Sequence, residues 1–140
     1  MTTPKGRIFC TEDDADTREL LTFTLELAGY EVICTDDALK AIDLIKTEGF
    51  DLCLIDNWMP GISGYDLCNQ IRQFNTKMPI LFYSGDAFES DKQRALDLGA
   101  QGYVVKPALD NELVTEVARL IAEAKIAFPV AIVPPIQESL

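Results

Sequence analysis

The chain has 140 residues, 48% of them hydrophobic and 25% charged, with a formal net charge of −11. That length suits one domain around one core, the composition excludes wholesale disorder, and the acidic balance argues against direct contact with nucleic acid or an anionic membrane. No run of about 18 apolar residues is present to span a bilayer, and the absence of histidine excludes His-based triads, His-ligated zinc and a His general base.

Strand-like and helix-like segments alternate from the start. Met1 to Arg7 runs into a strand at Arg7–Thr11 and has no signal-peptide core, so the chain reads as cytoplasmic. Leu20, Leu21, Thr24, Leu25 and Ala28 mark a first helix face, closed by Gly29. Glu31–Cys34 is a second strand. Ala38, Ala41, Ile42 and Ile45 mark a second helix, closed by Gly49. Leu52–Ile55 is continuously apolar, as a central parallel strand covered on both faces must be. A short helix with Gly64, Leu67, Cys68 and Ile71 follows, then a strand at Pro79–Tyr83, a weak helix at Glu89–Leu98 ended by Gly99, a strand at Gly102–Val105, and a last helix with Leu113, Val117, Leu120, Ile121 and Ala124.

Five βα units in a row predict an α/β domain over residues 1–125, a parallel sheet with helices on both faces. Residues 126–140 differ. Pro129, Pro134 and Pro135 argue for a loose tail or linker, and the alternation of Phe128, Val130 and Ile132 argues for an extended segment docked on a surface. Cys10, Cys34 and Cys53 in strands and Cys68 on a helix face are expected to be buried reduced thiols.

The polar residues that follow the strands carry the chemistry. The first strand ends in Glu12-Asp13-Asp14, the third in Asp56, the fourth in Ser84 and the fifth in Lys106-Pro107. In an open parallel sheet, ligands bind at the carboxyl ends of strands. Glu12, Asp13 and Asp56 would bring three carboxylates together, and like charges ~4 Å apart near a surface repel by ~4 kcal/mol. Such a cluster needs a cation, or one carboxyl group stays protonated. A hard ion such as Mg²⁺ suits it. Lys106 adds a fixed positive charge and Ser84 a hydroxyl, a set suited to holding a phosphoryl group while Asp56 attacks it in line. Each residue has a plainer reading. Asp14 suits a helix N-cap, Glu12 and Asp13 suit solvated cap-region acids, Asp56 and Ser84 suit turn chemistry, and Lys106 suits a surface lysine. Four such coincidences on one edge are harder to accept than one.

Over roughly residues 5–125 the chain resembles the receiver domain of two-component response regulators. The motifs are Glu12-Asp13-Asp14, Asp56-Asn57-Trp58-Met59-Pro60-Gly61 with Gly64, Ser84-Gly85 and Lys106-Pro107. The resemblance implies a flavodoxin-like, doubly wound sheet in the order 2-1-3-4-5. It implies that Asp56 is the phosphoacceptor. It implies Mg²⁺ (or Mn²⁺) ligation by Asp13 and Asp56 directly, by Glu12 through water, and by the backbone carbonyl of Trp58. Ser84 matches the hydroxyl that follows the phosphoryl group, Lys106 the lysine that pairs with it, and Tyr103 the switch aromatic. The implied partners are a sensor histidine kinase or phosphotransfer protein, a downstream protein target met through the fourth helix, fifth strand and fifth helix, and in some settings a phosphorylation-dependent homodimer. The implied chemistry is self-catalysed phosphoryl transfer and autodephosphorylation, not turnover of a separate substrate.

The chain departs from the family pattern at Ala108, where a large aromatic is common, and at Leu109, so the last helix is expected to start at Asp110. Trp58 is bulky beside the acceptor and is expected to affect water access. Among rivals, a haloacid-dehalogenase-type phosphatase would need a second Asp where Trp58 stands. A flavin binder would need an amide-rich phosphate loop where Glu12-Asp13-Asp14 stands. A phosphorylation-independent interaction module is disfavoured by the presence of Asp56, Ser84 and Lys106. The chain reads either as a single-domain regulator or as part of a larger regulator or hybrid kinase.

Overall fold

The computed structural model describes residues 3–108 and 111–128. Five strands and five helices alternate: β1 (Arg7–Thr11), α1 (Ala15–Leu27), β2 (Glu31–Thr35), α2 (Ala38–Thr47), β3 (Leu52–Ile55), α3 (Gly64–Arg72), β4 (Ile80–Ser84), α4 (Glu89–Asp97), β5 (Gly102–Val105) and α5 (Glu112–Ala127). All strand pairings are parallel, and the order is β2-β1-β3-β4-β5. This is the flavodoxin-like arrangement expected from the sequence.

Side-chain alternation along each strand divides the core in two. Phe9, Cys53, Ile55, Ile80 and Phe82 pack with α2, α3 and α4 on one face. Ile8, Cys10, Leu52, Leu54, Leu81 and Val104 pack with Leu21 and Leu25 of α1 and with Leu113, Val117, Leu120 and Ile121 of α5 on the other. The central strand β3 is buried along its whole length, which its unbroken apolar run requires.

Local chemistry fixes the helix starts on the site's edge. Asp14, Asp37 and Ser63 are N-caps whose side chains accept from backbone N–H groups of the first turns of α1, α2 and α3. Gly29 and Gly99 end α1 and α4 at positive φ, 102° and 105°.

Several details differ from the sequence reading. Leu20, placed on the buried face of α1, is 65% exposed, because Leu21 and Leu25 already fill that contact. The C-cap of α2 is Glu48 in extended conformation, so Gly49 supplies no left-handed closure. Cys10, Cys53 and Cys68 are buried and free, but Cys34 on the edge strand β2 is only half-buried. α5 continues through Ile126 to Ala127, past the expected start of the tail. α5 starts at Glu112 with Asn111 as its N-cap, later than the expected start at Asp110, and the expectations placed on Leu109 and on residues 129–140 lie outside the described residues. Among the described residues no helix is long and apolar enough to cross a membrane.

Candidate functional site

Register brings the first three carboxylates together. Thr11 of β1 pairs with Ile55 of β3, so the chain leaves both strands side by side at Glu12 and Asp56. The Asp56 N–H donates to the Thr11 carbonyl at 3.1 Å. Carboxylate oxygens of Glu12, Asp13 and Asp56 lie within 4.8 Å of one another. Glu12 and Asp56 are almost wholly buried, 1% and 5% exposed, and Asp13 is exposed. The Glu12-Asp13 turn is held from behind, where Arg18 of α1 donates to the carbonyls of both residues at 3.0 and 3.3 Å. Asp14 faces away as the cap of α1, as its plainer reading had it.

Lys106 crosses from the far side of the sheet. Its backbone N–H donates to the Ser84 carbonyl at 2.8 Å, continuing the β4–β5 ladder, and the Lys106–Pro107 peptide is cis. The ammonium then reaches Glu12 Oε1 at 2.7 Å and Asp56 Oδ2 at 3.3 Å. Burial raises the Glu12 carboxyl to about 7, opposed by the Lys106 hydrogen bond and reinforced by Asp56. Burial would lower the Lys106 ammonium, but the hydrogen bond to Glu12 and the charge of Asp56 outweigh it and the net shift is upward.

The β3–α3 loop that follows Asp56 is tightly packed. The Trp58 N–H donates to Asp56 Oδ1 at 3.2 Å, and the Gly64 N–H to the Asn57 carbonyl at 3.0 Å. A Cβ on Gly64 would sit 2.5 Å from the Asp56 carbonyl oxygen and 2.8 Å from Asn57 Cα, so only glycine lets α3 start this close to the end of β3.

Ser84 and Tyr103 join the cluster less directly. Ser84 is fully buried, and its Oγ accepts from the Asp86 N–H at 3.3 Å instead of bonding to Asp56. Tyr103 is half-buried, its ring stacked on Phe82, and its hydroxyl donates to the Asp86 carbonyl at 2.9 Å. Burial pushes that phenol up to about 12. Trp58 is 66% exposed, with its indole N–H donating to Asp86 Oδ2 at 3.0 Å. The structure thus gathers Glu12, Asp13, Asp56 and Lys106 directly, bonds the Trp58 backbone N–H to Asp56, and ties the Ser84 hydroxyl, the Tyr103 hydroxyl and the Trp58 indole to Asp86.

Sequence reasoning did not single out Asp86 or the side chain of Asn57. Asn57 is buried, and its amide also donates to Asp86 Oδ2, at 2.9 Å. The available signal was an acidic residue two places after the strand-end Ser84, which reads equally well as turn chemistry.

The donor set fits a hard divalent cation. Three carboxylates from two adjacent strand ends can supply charged oxygens to one ion, with waters completing the shell.

Comparisons with known proteins agree with this geometry. The family model described as response regulator receiver domain matches residues 8–118. The alkaline phosphatase synthesis transcriptional regulatory protein PhoP of Bacillus subtilis (strain 168) is 33% identical over 123 residues, 88% of this chain and 51% of the relative. The chain spans about half the length of the curated relatives it matches. A CheY-like response regulator receiver domain protein of Methanospirillum hungatei JF-1 superposes with a TM-score of 0.81 at 26% identity, covering 86% of this chain and 97% of that one. The response regulator TrrA of Thermotoga maritima, solved in complex with Mg²⁺-BeF, superposes with a TM-score of 0.75 at 29% identity, covering 81% of this chain and 97% of that one. With a match over most of its length and the fold to go with it, this chain belongs to the response regulator receiver domain family of two-component systems.

Proposed function

We propose that the chain is a phosphorylation-activated switch whose acceptor is Asp56. The observation that carries this reading is the Lys106 ammonium lying against both Glu12 and Asp56, with Asp13 completing an acidic cluster at the carboxyl edge of the sheet. An Asp56 carboxylate oxygen attacks the phosphorus of a donor, forming an acyl phosphate as the P–N bond of a phosphohistidine breaks. These 140 residues hold no histidine, so the phosphohistidine lies outside them, on a sensor kinase or phosphotransfer protein. Lys106 neutralises charge on the phosphoryl oxygens, and the Ser84 hydroxyl moves to one of them. Glu12, Asp13, Asp56 and the Trp58 carbonyl would hold Mg²⁺ or Mn²⁺. When bound, the ion supplies further positive charge against the same oxygens. Hydrolysis of the acyl phosphate returns Asp56 and inorganic phosphate.

Movement of Ser84 frees space that Tyr103 fills, and this changes the face made by α4, β5 and α5 for a protein target. Coupling of this kind is typically ~1–3 kcal/mol, enough to shift a two-state equilibrium without creating a new fold. The switch works in the cytoplasm, where phosphohistidine donors are found.

The test is incubation with Mg²⁺ and acetyl phosphate, followed by intact mass. One phosphate adduct is expected, lost without Mg²⁺ and lost in Asp56→Asn. An adduct that persists in Asp56→Asn would remove Asp56 from the role.

A further inference from the structure

The β4–α4 connection carries a residue that no step above requires. Asp86 is half-buried and makes four hydrogen bonds to four different residues. Its carboxylate Oδ2 accepts from Asn57 Nδ2 at 2.9 Å and from Trp58 Nε1 at 3.0 Å. Its backbone N–H donates to Ser84 Oγ at 3.3 Å, and its backbone carbonyl accepts from the Tyr103 hydroxyl at 2.9 Å. The side chain therefore ties the β3–α3 loop to the β4–α4 loop, and the main chain of the same residue engages the two groups that must move for the switch to operate.

We infer that Asp86 is a positioning residue that holds the resting arrangement, through a latch closed by Asn57 and Trp58 on one carboxylate oxygen. The inference rests on the phosphoacceptor reading above and adds a brake to it. Ser84 Oγ accepts from Asp86 N–H in this arrangement, so its movement toward a phosphoryl group on Asp56 breaks that contact. The Tyr103 hydroxyl must leave the Asp86 carbonyl to turn inward. While both indole and amide N–H groups grip the carboxylate, the Asp86 main chain cannot follow either group. Hydrogen bonds to an ionised acceptor are the stronger kind, and the buried Asn57 amide would lose its partner if the latch opened. The latch thus adds to the free energy of switching, and a ligand that favours the switched state binds less tightly by the corresponding factor.

Both donors converge on a single oxygen, which separates hydrogen bonding from charge. Asp86→Asn keeps a carbonyl oxygen able to accept both bonds, and Asp86→Ala removes it. The test is the affinity of the full chain for beryllofluoride, a phosphoryl mimic, with Mg²⁺ present, read from the bound ¹⁹F NMR signal. Asp86→Ala is expected to bind about tenfold more tightly than wild type, and Asp86→Asn within about threefold of wild type. A damaged fold would weaken binding, so a gain reports the latch. If Asp86→Ala does not fold, Trp58→Phe deletes one of the two bonds and is expected to tighten binding by a smaller factor. Binding in Asp86→Ala, or in Trp58→Phe where that variant carries the test, that is unchanged or weaker than wild type overturns the latch alone. An equal gain in Asp86→Asn overturns it too, because lost hydrogen bonding would then not be the cause. Failure of wild type to bind beryllofluoride overturns the phosphoacceptor reading and the latch with it.

Discussion

Lys106 and Glu12 stand 94 residues apart in the chain, and their side chains meet at 2.7 Å with the Glu12 carboxylate almost fully buried. The pair sets the charge of the site, because the same ammonium also lies 3.3 Å from Asp56. Replacing Lys106 by Met keeps the apolar stem and removes the charge. Mg²⁺ should then bind about tenfold more tightly, since a competing cation is gone. Phosphorylation by acetyl phosphate should slow by about 10²-fold, the usual loss when one fixed electrostatic group is removed. Calorimetry and rate measurements on one variant check both, and opposite signs for the two effects are the expected signature.

Glu12 gives the site a pH dependence. Its folded value of about 7 lies above the ordinary 4.5. Between those values the folded protein without bound cation holds a proton that the unfolded chain has lost, so stability falls as pH rises through that window. A cation favours the carboxylate, so Mg²⁺ affinity should rise with pH up to about 7 and flatten above it. Mg²⁺ titrations from about pH 5 to about pH 9 test this, and Glu12→Gln should remove most of the slope.

Gly64 tests the packing behind Asp56. Alanine there places a methyl group 2.5 Å from the Asp56 carbonyl oxygen and 2.8 Å from Asn57 Cα, against backbone that cannot turn aside. A loss of about 1–3 kcal/mol in stability is expected, together with slower phosphorylation as the end of β3 shifts. Denaturant unfolding and the acetyl phosphate reaction give the two readings.

Much of this was legible in the sequence for a definite reason. An unbroken apolar run such as Leu52–Ile55 has few homes other than a central parallel strand, and parallel strands deliver their following residues to one edge. Asp56, Ser84 and Lys106 could therefore be placed together before any geometry was known. Asp86 could not. Its side-chain partners, Asn57 and Trp58, lie 29 and 28 residues away, and nothing local marks which of several loop acids will meet them. Leu20 failed for a related reason. Helical spacing admits it to the apolar face of α1, but the width of that face is set by what α1 packs against.

The thiols offer an independent check of the fold. Cys10, Cys53 and Cys68 are fully buried, and burial pushes Cys53 well up and Cys68 up to about 11, while Cys34 is half-buried on the edge strand. Buried neutral thiols react slowly. A thiol-specific reagent should label only Cys34 in the native protein and all four cysteines after unfolding, with Cys34→Ser leaving the native protein unlabelled.

The identity of the acceptor is tested most directly by chemical trapping. Borohydride reduces an aspartyl phosphate to homoserine, which peptide mapping locates to a single residue. After reaction with acetyl phosphate and Mg²⁺, homoserine is predicted at position 56 and nowhere else. Homoserine at another aspartate, or stable phosphate on Ser84 with Asp56 unchanged, would contradict the account.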